Sequence, residues 1–163
     1  MFKVKAAYSE QFEVKATAES VRRFFADTRQ FVELMPNIES IRAEPNGTAR
    51  WTIRAEIPLL GAMIESFAVQ LSENSENLIE YTPAPTETKN YLRYAADFEE
   101  RSGGKTIVNI SQTVELRREK AADLHFLAGL AGEKVISQQM QSRVATMIKT
   151  FLEKAKSRLE QKS

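Results

Sequence analysis

Glu65, Gln112 and His125 draw attention first, because each is a polar or titratable residue set among apolar ones. Glu65 shares strand parity with Met63, Phe67, Val69 and Leu71, so an alternating strand aims it the way they point. An unpaired carboxylate on such a face is costly to ionise and its pKa rises, which would suit a general acid or a group that hydrogen-bonds a ligand. A structural ion pair near the strand's end is the competing expectation, and the weightier one. Gln112 lies on the face of Val108, Ile110, Val114 and Leu116, where its amide could orient a ligand carbonyl or bond a neighbouring side chain. His125, the single histidine, is the residue whose ordinary pKa lies near neutral, and it sits in an apolar run. It could exchange protons with a bound molecule, yet no Ser-His-Asp or Cys-His ordering surrounds it, so a structural histidine is expected.

Other chemistries find less support. The chain has no cysteine, which removes disulfides, a thiolate nucleophile and a zinc–thiolate site. A metal would need Asp123 and Glu133 to join His125 in an otherwise unsupported site, so none is expected. Gly103-Gly104 has neither the spacing nor the following lysine of a phosphate loop, and no cofactor is expected. Lys plus Arg number 23 against 22 for Asp plus Glu, which gives no global field for nucleic acid. The run Arg117-Arg118-Glu119-Lys120 is short and acid-interrupted, and a solvated strand end accounts for it.

The elements that must position these side chains are legible from periodicity. Phe12 to Ala16 alternates apolar and charged residues as a strand, and the alternation reaches back toward Phe2. Thr17 is placed to cap a short helix carrying Val21, Phe24 and Phe25, and a second short helix carries Phe31, Val32 and Leu34. Met35-Pro36-Asn37 ends it, because the residue before proline is pushed out of helical geometry. Six strands follow, at about Ile38–Glu44, Trp51–Ile57, Met63–Leu71, Leu78–Thr82, Tyr91–Glu99 and Thr106–Leu116, parted by turn residues such as Asn46-Gly47 and Gly103-Gly104. Trp51, Tyr81 and Tyr94 point inward on this reading, while Arg93 and Asp97 point to solvent. Residues 119–132 form an apolar piece holding Leu124, Phe126, Leu127 and Leu130, expected to pack on the core.

From Glu133 to Gln161 one long helix closes the chain, with Ile136, Met140, Val144, Ile148, Phe151, Leu152, Ala155 and Leu159 in a single apolar stripe. It is roughly 40 Å long at ~1.5 Å per residue, and only a broad curved sheet offers it a matching partner. The whole span 1–163 is expected to be one α+β domain, and the charge-dotted N-terminus lacks the apolar core of a signal peptide. A cytoplasmic setting is the default.

This order of strand, two short helices, six antiparallel strands and a closing helix resembles the START-like or SRPBCC superfamily, the birch-pollen-allergen-like helix-grip fold. Within it, Phe31-Val32-Glu33-Leu34-Met35-Pro36-Asn37-Ile38-Glu39-Ser40-Ile41 is similar to the junction of polyketide cyclase/dehydrase-like proteins and of carbon monoxide dehydrogenase subunit-like proteins, with Asn37 where those families have glycine. The resemblance implies a cavity between sheet and closing helix for a lipid, quinone, polyketide or other apolar molecule. Trp51, Met63, Glu65, Phe67, Tyr94, Gln112, Met140, Val144 and Met147 are expected to border it. The leading expectation is a non-enzymatic binder or carrier of an apolar small molecule. A cyclase or dehydratase using Glu65 or His125 in the same cavity is one alternative. A module that docks on a membrane or a protein through Leu124–Leu130 is another.

Overall fold

The alternation of the N-terminal residues runs through one strand, β1 (Phe2–Val14), in the computed structural model, which describes residues 1–161. The strand starts at the early limit of the expected range and stops before Ala16, which is buried outside the ladder. Thr17 then caps α1 (Ala18–Ala26), its Oγ1 accepting the Ser20 N–H at 3.3 Å. Asp27 ends α1 and begins α2 (Thr28–Leu34), its carboxylate accepting the Arg29 N–H at 3.1 Å. One short acidic residue thus breaks the apolar run into two helices.

The strands that follow are β2 (Ile38–Ala43), β3 (Thr48–Ile57), β4 (Gly61–Asn74), β5 (Leu78–Pro83), β6 (Asn90–Arg101) and β7 (Lys105–Arg118). All pair antiparallel in one seven-stranded sheet of order β1-β7-β6-β5-β4-β3-β2. The β2–β3 connection turns on Asn46 and Gly47, both in the left-handed region at φ 71° and 74°. That conformation is the one an Asn-Gly pair adopts with little strain. A register shift between Leu71 and Glu73 breaks the alternation of β4 near its end. Leu71, expected to point inward with Phe67 and Val69, is 43% exposed for that reason.

The last helix, α4 (Glu133–Gln161), has the bounds that its periodicity predicts, and its apolar stripe is buried from Ile136 to Leu159. An aromatic cluster fills the closed part of the grip. Phe31 of α2 lies 5.5 Å from Trp51, 5.2 Å from Tyr94 and 5.1 Å from Phe151, centroid to centroid. Aromatic rings meeting at these distances combine large apolar area with favourable edge and offset contacts.

Residues 119–132 form neither the first turns of α4 nor a continuous helix. A 3₁₀ turn at Ala121–Asp123 leads to the one-turn α3 (Ala128–Ala131), and Gly132 at φ 84° separates it from α4. Ala128 is buried, with Leu124 and Leu127 partly buried against the core. Phe126 and Leu130 are 79% and 88% exposed, so only one face of the segment packs as expected.

Candidate functional site

A cavity of about 260 Å³ opens between the sheet and the middle of α4. Ile53, Ala55 and Ile57 come from β3, Met63, Glu65 and Phe67 from β4, Val114 and Leu116 from β7, and Met140, Val144 and Met147 from α4. Strand alternation explains the two-residue spacing of the first three sets, and helical periodicity the three- and four-residue spacing of the last. Pro36 and Asn37 form a lip, and Arg54, Glu56, Arg143 and Thr146 complete the walls. Asn37 holds φ 80° and its carbonyl accepts the Arg54 N–H at 2.7 Å. The residue that stands where the resembled families carry glycine therefore takes the left-handed conformation, which asparagine tolerates better than most side chains.

Glu65 is anchored rather than isolated. Arg118 Nη2 donates to its Oε2 at 3.0 Å, and Asn90 Nδ2 donates to the same oxygen at 2.9 Å. Arg118 Nη1 also donates to Asn90 Oδ1 at 2.9 Å, closing a three-residue network. The Arg118 side chain is only 10% exposed and that of Glu65 22%. The expectation of a solvated strand end at Arg117-Arg118 is corrected here: Arg118 turns in to neutralise Glu65, while Arg117 lies over the Tyr91 ring and bonds Glu115. At the rim, Arg54 pairs with Glu56 at 3.3 Å and Arg143 is exposed.

Six of the nine residues expected at the cavity, Met63, Glu65, Phe67, Met140, Val144 and Met147, line it. Trp51, Tyr94 and Gln112 do not. They face inward but lie in the packed interior, at 1%, 0% and 2% exposure. Their place in the fold is set by position along the barrel, which parity does not encode. Burial pushes the Tyr94 hydroxyl well above its ordinary pKa, and its Tyr81 neighbour adds to the shift, so it stays neutral. His125 is not a cavity residue. Its Nδ1 accepts the Leu127 N–H at 3.0 Å and its ring stacks on Phe126 at 4.6 Å. Among the described residues no cluster of three or more His, Asp or Glu side chains is arranged to hold a metal ion. No helix among them is long and apolar enough to cross a membrane.

The sequence reading missed Asn90 and Arg118, which position Glu65 across 25 and 53 residues of chain and leave no local signal. It also passed over Ile53, Ile57, Val114 and Leu116, whose alternation with Trp51 and Gln112 carried the signal.

No family model matches this chain. No curated protein sequence matches it either. Solved structures do. A START superfamily protein from Mycobacterium smegmatis superimposes with a TM-score of 0.63 at 16% identity, covering 96% of this chain and 99% of that one. The Zhui aromatase/cyclase from Streptomyces sp. R1128 gives 0.62 at 14% identity, covering 94% and 95%. The di-domain ARO/CYC BexL of the BE-7585A biosynthetic pathway gives 0.63 at 18% identity over 96% of this chain, which spans 50% of that protein. The chain thus has the START-like helix-grip fold, shared with polyketide aromatase/cyclases.

Proposed function

We propose that the cavity binds an apolar small molecule between the sheet and α4. The observation that carries this reading is the lining: ten apolar side chains from four elements face one space, and the charges at its wall and rim include two paired carboxylates, Glu65 with Arg118 and Glu56 with Arg54. Three of the ten are methionines, whose flexible thioethers adapt to irregular guests. A guest that hides about 150 Å² of apolar surface would gain roughly 4 kcal/mol before the costs of association. The shared fold with START and aromatase/cyclase proteins agrees with this use of the space. Titration with the fluorescent apolar probe N-phenyl-1-naphthylamine tests it. Val144→Trp fills the space and should weaken the probe at least tenfold while circular dichroism and melting stay near wild type. Unchanged affinity in a folded Val144→Trp protein would refute the reading.

A cyclase or dehydratase is the second reading, drawn from the aromatase/cyclases that share the fold and from Glu65 on the cavity wall. It requires turnover of a polyketide-like chain that Glu65→Gln abolishes while binding persists.

A further inference from the structure

Three buried polar atoms on the inner face of the sheet have no hydrogen-bond partner among the described residues: Trp51 Nε1, Tyr94 Oη and Gln112 Oε1. They belong to one neighbourhood. Tyr94 and Gln112 sit opposite each other in the β6–β7 register, and the Trp51 and Tyr94 rings are 6.5 Å apart. The cavity's inner wall adjoins them. Phe67 lines the cavity and is the register partner of Trp51, while Val114 lines it two residues along the same face from Gln112.

Each such atom, left unpaired, weakens the folding equilibrium by roughly five- to a hundredfold. Three in one layer are therefore kept for a partner that supplies the bonds. Their chemistry defines that partner. Indole N–H only donates, the Gln112 amide oxygen only accepts, and the Tyr94 hydroxyl does either. A carbonyl would satisfy Trp51 and Tyr94 and leave Gln112 unpaired. A hydroxyl accepts from Trp51 and donates to Gln112, with Tyr94 taking its remaining lone pair. A charged head group would lose its hydration here, with Phe31, Phe67, Tyr81 and Val114 around it and no counter-ion among them.

We propose that Trp51, Tyr94 and Gln112 form the inner, hydrogen-bonding end of the ligand site, and that they receive the hydroxyl of a neutral apolar alcohol or phenol. This rests on the cavity reading above and adds the chemical class of the guest. The hydroxyl reaches the three groups when the Phe67 ring turns aside, a side-chain rotation rather than a backbone movement.

The test compares 1-naphthol with 1-methylnaphthalene, of similar shape but without the hydroxyl, on the wild-type protein, Tyr94→Phe and Gln112→Leu, by calorimetric titration. 1-Naphthol should bind the wild type about tenfold more tightly. Each variant should lose most of that preference with its affinity for 1-methylnaphthalene unchanged. The unliganded variants should melt at or above the wild-type temperature, because each removes an unpaired polar atom. Equal wild-type affinities, or a preference kept in both variants, would overturn the proposal. Lowered melting of both unliganded variants would also overturn it, by assigning the three groups to a structural water. Binding of 1-methylnaphthalene without any preference would leave the cavity reading standing and remove this one. No binding of either probe would remove both.

Discussion

The Gln141 side chain holds the Ala7 peptide at two points, its Oε1 accepting the Ala7 N–H at 2.7 Å while its Nε2 donates to the Ala7 carbonyl. β1 is an edge strand, and α4 covers its free side in the same way elsewhere. Glu133 accepts from the Lys3 N–H at 2.8 Å, Ser137 from Lys5 at 3.0 Å and Glu160 from Lys15 at 2.9 Å. The first three helix residues are four apart, so one polar stripe of α4 replaces the missing neighbour strand. Gln141→Ala should lower the unfolding free energy by about 1–2 kcal/mol in urea, with faster amide exchange at Ala7. Wild-type stability and exchange in that variant would mean the edge is held by other contacts.

The Arg118–Glu65 pair predicts an asymmetric response to mutation. Arg118→Met strands a carboxylate that is mostly shielded from water and should cost roughly 2 kcal/mol, less than a fully buried pair would. Adding Glu65→Gln should recover most of the loss, since the amide needs no cation. A double mutant no more stable than Arg118→Met would show that the network's geometry matters and its charge does not.

Glu115 gives the stability a dependence on acid. Burial alone would raise its pKa, but hydrogen bonds from Arg117 and Lys5 outweigh that and hold it below the ordinary 4.5. Lys5 Nζ lies 3.3 Å from it. A carboxyl lowered on folding stabilises fully above its unfolded pKa and loses that contribution as pH falls through the lower, folded value. Unfolding free energy should therefore fall with pH below about 4.5, and the fall should be shallower in Glu115→Gln, as chemical denaturation between pH 6 and 3 would show. Parallel profiles would remove Glu115 from the account.

Asn37 at φ 80° makes a backbone prediction. Asn37→Ala places a methyl group in the left-handed region and should cost about 1 kcal/mol, whereas Asn37→Gly should be close to neutral. The readout is the urea midpoint at constant slope. An alanine variant as stable as the glycine variant would show that the lip relaxes to another conformation.

Much of the architecture could be read from periodicity alone. The stripe from Ile136 to Leu159, the capping threonine at Thr17 and the Asn46-Gly47 turn are local signals, and the structure places each where its spacing indicates. The candidate site was readable only as a face. Two-residue alternation says that Trp51, Met63, Glu65 and Gln112 point inward, yet Met63 and Glu65 reach the cavity while Trp51 and Gln112 lie in packed interior. That difference depends on how far along a twisted sheet each residue lies, which emerges only when the strands are paired. Arg118 was misread for a related reason. Its partner is 53 residues away and comes beside it through the pairing of β4 through β7.

The edge-sealing stripe on α4 has a mechanical corollary. Because that helix is fastened along β1 from Lys3 to Lys15, it is the stiff side of the grip. Accommodation of a bulkier guest then falls to the opposite jaw, the arm formed by β3 and β4, whose tip carries the exposed Leu59 and Ile64 and has no helix pinned along it by side-chain bonds to its backbone. The molecule's give is one-sided, and guest size is read by how far that arm swings.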